Sequence, residues 1–98
     1  MSRHENRVAE QIAHEAALFI QREASSASLI TVTRALMRAH GQRATVFVSV
    51  FPAEESRAAL HFLEGRRETF SEHLKQHTRL RPLPHVTFLL DDGNSLKT

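Results

Sequence analysis

The feature that most constrains the fold is a run of alternating side chains at residues 44–51. Three valines at every second position would share one face of a strand, and Thr45, Phe47, Ser49 and Phe51 would point to the other. A second β-branched run begins at residues 29–33. The segment between the runs, residues 38–43, contains a glycine and is short enough for an antiparallel hairpin. We therefore predict two strands whose valine face is covered by helices.

A long amphipathic helix is predicted before this hairpin. Ser2-Arg3-His4-Glu5 has the S-x-x-E form of a capping box, in which two side chains satisfy backbone amides at a helix start. Apolar residues then recur at helical spacing from Val8 to Ile20. The helix should continue to about Glu23, and the small polar residues 24–28 predict a connecting loop.

Helical patterns resume after the hairpin. Pro52 stands where the first residue of a helix would fall, and Glu54 and Glu55 suit the positive end of a helix dipole. Residues 65–69 interrupt the apolar pattern, which returns afterwards. This arrangement predicts a helix, a bend close to Arg66, and a further helix.

The remaining residues predict one more strand. Pro82 and Pro84 are expected to end the third helix, because proline lacks an amide donor and disfavours helix in the residue before it. Residues 85–90 alternate as a strand, and residues 91–94 indicate a turn. The order is then α-β-β-α-α-β, an α+β fold with a three-stranded sheet and helices on one face.

Length and composition limit the possibilities further. At 98 residues the chain has room for one core, so we expect a single domain over residues 1–98 and, with no second core, a monomer. Eleven of the 13 Lys and Arg residues are Arg, which favours a polyanionic partner, although coding bias produces the same excess. The absence of cysteine excludes disulfides and thiolate metal sites and fits a reducing cytoplasm.

Neither a membrane protein nor an enzyme is indicated. No apolar run approaches the roughly 20 residues that span a bilayer, and the polar N-terminus is not followed by a leader-like segment. Glycine occurs only at positions 41, 65 and 93, which excludes dinucleotide-binding and P-loop motifs. No nucleophile with a base stands out, so we expect no catalytic residues, no cofactor and no small-molecule substrate.

Two histidines have the spacing of metal ligands. His73 and His77 are four residues apart in a predicted helix and would share a face. The metalloprotease motif H-E-x-x-H is absent, because Glu72 precedes the first histidine. We interpret the pair as ordinary surface or boundary histidines and expect no bound metal.

Four blocks, taken in order, resemble the ribosome-binding factor A family: residues 6–23, 30–33, 44–50 and 79–88. The resemblance implies a type II KH-like fold in a cytoplasmic assembly factor. Such a factor binds the immature small (30S) ribosomal subunit and assists late maturation of 16S rRNA. One departure concerns the bend, where the family usually has Ala-x-Gly and this chain has Arg66-Arg67-Glu68.

Two groups of cations are candidates for RNA binding. The first lies at the predicted bend and along the last helix, and its members are Arg66, Arg67, Lys75, Arg79 and Arg81. Contacts from such residues to phosphates supply most nonspecific affinity for RNA. The alternative is a solvated helix face, since Glu64, Glu68 and Glu72 are close enough in sequence to pair with them.

The second group is on the predicted hairpin and consists of Arg34, Arg38 and Arg43. These residues could contact RNA, or their charge could simply protect an exposed strand edge from pairing.

The main alternative for the whole chain is a protein–protein interaction or dimerisation module of the same fold without RNA binding. Salt-dependent RNA binding would separate the two hypotheses, and bound metal in the purified protein would indicate a third, a small metal-dependent enzyme.

Overall fold

The predicted order of elements is confirmed in the computed structural model, which describes residues 1–91. The elements are α1 (Arg3–Glu23), β1 (Leu29–Arg38), β2 (Arg43–Phe51), α2 (Ser56–Gly65), α3 (Arg67–His77) and β3 (His85–Leu90). The α-β-β-α-α-β order is that of a type II KH-like domain. Of the predicted turn at 91–94, residues 92–94 lie outside the part that the structure describes.

The three strands form one sheet in the order β1-β2-β3. β2 pairs antiparallel with β1 and parallel with β3, so the α2–α3 crossover lies between two parallel strands. The register between β1 and β2 shifts between Val32 and Arg34. This bulge keeps Val32 and Ala35, three positions apart, on the same side of the sheet, where the simple alternation of a strand would separate them.

The valine face of the sheet is covered by the helices, as predicted. Val46 and Val48 are fully buried, α1 packs mainly against β1, and α2 packs mainly against β3. Phe70 of α3 joins the two sides of this core, because its ring lies 5.1 Å from that of Phe19 and 5.8 Å from that of Phe88. Full burial of such a side chain contributes roughly 1.5–3 kcal/mol.

The capping box at the start of α1 is confirmed. The Glu5 amide donates to Ser2 Oγ at 3.1 Å, and the Ser2 amide donates to Glu5 Oε1 at 3.1 Å. The hydrogen bond from the Ser2 amide stabilises the ionised carboxylate and lowers the pKa of Glu5 below its ordinary value.

Both helices after the hairpin are shorter than predicted. Pro52 precedes a 3-10 turn over Ala53–Glu55, and α2 begins only at Ser56. The prediction that Pro82 and Pro84 end the third helix was wrong, because α3 already ends at His77. Thr78 is extended, so the helix ends before the prolines; its amide and its hydroxyl both donate to the Leu74 carbonyl, one turn back.

The bend and the hairpin turn lie where predicted. Arg66 separates α2 from α3 with φ −105° and ψ 9°, outside helical geometry. In the hairpin, Ala39, His40 and Gly41 have positive φ of 52°, 54° and 86°. Glycine adopts this left-handed conformation without steric strain, whereas Ala39 and His40 are held in it by the turn.

Candidate nucleic-acid interface

Arg66 is held at the bend by two contacts. Its Nε lies 3.9 Å from Glu23 Oε1 at the end of α1, and its guanidinium carbon lies 4.9 Å from the centre of the Phe62 ring. The side chain remains exposed beyond these contacts. It therefore offers a positioned guanidinium whose outer edge is available to an anionic partner.

Arg67 lies on the other side of the bend, in a surface groove of about 400 Å³. The groove separates the first turns of α3 from the segment that enters β3, and it is lined by Arg67, Glu68, Ser71, Leu83, Pro84, His85 and Val86. Within residues 1–91 β3 pairs only with β2, so the groove lies beside an edge strand of the sheet. Within this groove Arg67 is the cation and Glu68 an opposing charge.

The remaining cations of the first group lie at the far end of α3. This helix has 11 residues, which corresponds to about 16 Å of axial length. Arg81 Nη2 donates to the Lys75 carbonyl at 3.1 Å, and Nη1 donates to the Leu80 carbonyl. Arg79 and Arg81 belong to the segment after α3 rather than to a helix, so the structure divides the five cations between the two ends of α3.

The hairpin arginines all belong to the open face of the sheet, opposite the helices. The register pairs Arg38 with Arg43, and Arg43 with His85, so these three residues form one row across the three strands. All three side chains are exposed. The row therefore presents two arginines and one histidine on the open face.

Arg34 differs from its two neighbours on the hairpin. Its guanidinium carbon lies 4.2 Å from the centre of the Phe47 ring, and its Nε lies 3.6 Å from Asp91 Oδ2. The side chain is only 21% exposed, and it helps to leave Phe47 only 4% exposed although no helix covers that face within residues 1–91. Arg34 therefore acts as a cover for an aromatic side chain, held by a carboxylate from the end of β3.

His85 connects the two groups that the sequence presented separately. It lines the groove beside Arg67, and it is also the last member of the row that contains Arg43 and Arg38. We call Arg66, Arg67, His85, Arg43 and Arg38 together the basic band: its arginines lie at the bend and on the open face, His85 lies between them, and Glu68 lies beside it in the groove. Sequence reasoning missed His85. The alternation of residues 85–90 nevertheless places it on the exposed face of β3.

The two histidines of α3 have unequal surroundings. His77 is exposed, as expected for a surface residue, but His73 is buried with 5% exposure and faces Glu15 of α1. His73 therefore belongs to the contact between α1 and α3.

No helix within residues 1–91 combines the length and apolar character needed to cross a bilayer.

Comparison with known proteins identifies relatives over nearly the whole chain. The family model described as "Ribosome-binding factor A" matches residues 4–96. The crystal structure of ribosome-binding factor A from Thermus thermophilus is similar, with 26% identity, a TM-score of 0.78, and coverage of 88% of this chain and 93% of that one.

Two other solved structures are also similar. A Thermus thermophilus ribosome-binding factor A homology model, fitted into a cryo-EM map of a 30S complex, has 27% identity and a TM-score of 0.75 over 87% of this chain and 92% of that one. The solution structure of a Thermotoga maritima protein, described as a putative ribosome-binding factor A, shares the fold, with 19% identity, a TM-score of 0.78, and coverage of 95% and 92%. No curated protein matches in the corresponding sequence comparison.

Proposed function

Because the chain belongs to the ribosome-binding factor A family, we propose that it binds the immature small (30S) ribosomal subunit and assists late maturation of 16S rRNA. It would act in the cytoplasm, as a monomer when free, and without catalysing a reaction. The observation that carries the proposal is the family match over residues 4–96. The Thermus thermophilus relative, which was fitted into a map of a 30S complex, supports the same partner.

The proposed contact surface is the basic band that runs from Arg66 and Arg67, past His85, to Arg43 and Arg38. Lys75, Arg79 and Arg81, at the far end of α3, would be separate outer phosphate contacts. Arg34 is the least suited member of the predicted set, because its guanidinium is committed to Phe47 and Asp91. Arginine and lysine at such positions neutralise phosphates and set the orientation of a protein on RNA without reading its sequence.

The aromatic side chains support recognition of backbone rather than bases. The chain has six phenylalanines and neither tyrosine nor tryptophan. Four of the phenylalanines are buried, and Phe62 is half-buried beneath Arg66. Phe51 alone among the six is exposed, at 74%. Stacking of several unpaired bases on aromatic rings therefore has little support, and a salt-sensitive contact with phosphates is favoured.

The site is tested by neutralising the bend. Arg66→Gln with Arg67→Gln removes both cations, and glutamine avoids placing a new carboxylate beside Glu23. Arg3→Gln with Arg7→Gln is the matched control, because both arginines are exposed on α1 and the change in charge is the same. Binding to immature small subunits is measured by co-sedimentation at several salt concentrations, with circular dichroism as the check on folding.

We expect the bend pair to bind at least about tenfold more weakly than the control pair, because each phosphate contact contributes to the affinity. Equal losses in both pairs would indicate diffuse attraction and would contradict the assignment of the surface. Binding of the unaltered chain that does not respond to salt would contradict phosphate recognition and favour a protein–protein module.

A further inference from the structure

Outside the basic band, three possible metal ligands meet where α3 packs against α1. The two helices run antiparallel, since Arg66 at the start of α3 faces Glu23 at the end of α1, and His73 further along faces Glu15. His73 Nε2 lies 2.8 Å from Glu15 Oε1. Glu15, His73 and His77 each offer one ligand atom, and all three atoms lie within 4.8 Å of one another.

The second histidine is already oriented by a backbone hydrogen bond. His77 Nδ1 lies 2.9 Å from the His73 carbonyl oxygen and must donate a proton to it, because a carbonyl only accepts. The neutral ring therefore keeps its lone pair on Nε2. A backbone carbonyl that holds the other ring nitrogen is the arrangement that usually accompanies a metal-ligating histidine. The two imidazole rings are stacked, with centroids 4.1 Å apart.

From this geometry we propose that Glu15, His73 and His77 bind one divalent ion of the zinc class. The ligands would be a Glu15 carboxylate oxygen and Nε2 of each histidine. Two imidazoles with one carboxylate suit zinc, copper, nickel or ferrous iron, whereas magnesium and calcium prefer oxygen ligands alone. Three protein ligands leave a fourth position of a tetrahedral ion for water.

The ligand atoms are close enough for one ion, but the rings must reorient, because the His73 and His77 rings are nearly parallel at 19° and their Nε2 lone pairs have to converge on the ion. Metal–ligand bonds of about 2.0–2.2 Å in a tetrahedral site place ligand atoms about 3.4 Å apart. The His73–Glu15 pair, at 2.8 Å, would open slightly, and the more distant ligand atoms would close. His77 is exposed, so its ring has room to turn toward the ion, although turning would weaken its hydrogen bond to the His73 carbonyl.

Metal binding would also require the neighbouring Arg22 side chain to move. Arg22 Nη2 lies 3.5 Å from His73 Nδ1, and it can donate there only while the proton of the neutral ring is on Nε2. When Nε2 binds an ion, the proton moves to Nδ1 and the guanidinium has to turn away. Its side chain is 56% exposed and already lies 3.4 Å from Glu23, so it has room and a partner of opposite charge.

A bound ion would tie α1 to α3 at Glu15, two helical turns along α1 from the bend-side contact between Glu23 and Arg66. In the unfolded chain these ligands are distant, since Glu15 and His73 are 58 positions apart in the sequence. Binding energy would therefore appear as added stability of the folded state. The site is independent of the proposed ribosomal role.

The test uses the full chain and zinc chloride alone, with calorimetry for binding and thermal unfolding for stability. His77→Gln and Glu15→Gln are the informative variants, whereas changing the buried His73 could disturb folding. His14→Gln and His61→Gln are the matched controls, since both histidines are exposed on helices. Cobalt absorption, which is intense only for tetrahedral sites, reports the geometry independently.

We expect one zinc ion per chain, a rise in melting temperature on binding, and a loss of at least about tenfold in affinity in His77→Gln and Glu15→Gln. The control variants should bind as the unaltered chain does. Equal weakening by His14→Gln or His61→Gln, binding without a rise in melting temperature, or no binding at all would each overturn the proposal. If Glu15→Gln fails to fold, His77→Gln decides alone.

Discussion

The two faces of the sheet are built from the same strands but are closed in different ways. On the helix-covered face, Val46 and Val48 of β2 are fully buried beneath α1, α2 and α3. On the open face, Ser49 and Phe51 of the same strand are exposed. Phe47 also belongs to the open face, yet it is buried as deeply as many core residues.

The difference shows that, among the described residues, a long polar side chain contributes to burial on the open face. Phe70 on the helix side packs against the apolar rings of two other elements, Phe19 of α1 and Phe88 of β3. Phe47 is instead covered by Arg34, whose position is secured by Asp91. In an apolar layer many contacts share the burial, whereas the contribution of Arg34 can be removed by one substitution.

The largest effect is expected in the helix-covered core. Phe70→Ala should lower the free energy of unfolding by about 3–5 kcal/mol, because it leaves a cavity among fully buried aromatic rings. Phe51→Ala, the same substitution on the open face, should change it by less than about 0.5 kcal/mol. Urea unfolding measures both, and similar losses would show that the two faces contribute equally.

Removal of the cover on Phe47 should have an intermediate effect. Arg34→Ala is expected to cost about 1–2 kcal/mol, because it exposes the ring and ends the contact between guanidinium and aromatic face. Arg38→Ala, further along the same strand and exposed, is the control and should be nearly neutral. A loss in Arg38→Ala as large as that in Arg34→Ala would mean that general charge, and not cover of Phe47, stabilises this face.

The exposed row of the open face should separate stability from binding. Arg38→Gln with Arg43→Gln should change the free energy of unfolding by less than about 0.5 kcal/mol. If the row contacts RNA as proposed, the slope of log affinity against log salt should fall by about 0.7–0.9 for each lost phosphate contact. An unchanged slope of log affinity against log salt would mean that Arg38 and Arg43 do not contact RNA and that the RNA surface lies at the bend.

The smallest effect concerns the start of α1 and depends on pH. The folded-state pKa of Glu5 is lowered from the ordinary value of 4.5, so its contribution is complete above that value and is lost as pH falls through the folded pKa. Glu5→Gln should therefore be slightly less stable than the unaltered chain near neutral pH. The difference should vanish in acid, and a difference that grows with acidity would contradict the assignment.

Much of the backbone arrangement could be predicted from local patterns. Alternation in residues 44–51 identified β2 and its valine face, and S-x-x-E identified the start of α1, because both signals depend on neighbours only a few residues away. The start of α2 and the end of α3 were harder to predict from the sequence. The extended Thr78 ends α3 and donates its hydroxyl to the Leu74 carbonyl one turn back, a contact that the more conspicuous prolines concealed.

The tertiary structure decided which charged residues meet. The sequence by itself determined that Arg38 and Arg43 flank a turn and that Arg66 and Arg67 form a bend, since these are relations between near neighbours. Pairing of β3 with β2 placed His85 between the two groups, and packing of α3 on α1 brought Glu15 to His73. Packing also turned Arg34 into a cover for Phe47. Such contacts join residues far apart in the chain, so they depend on strand register and helix docking, which local side-chain patterns do not specify.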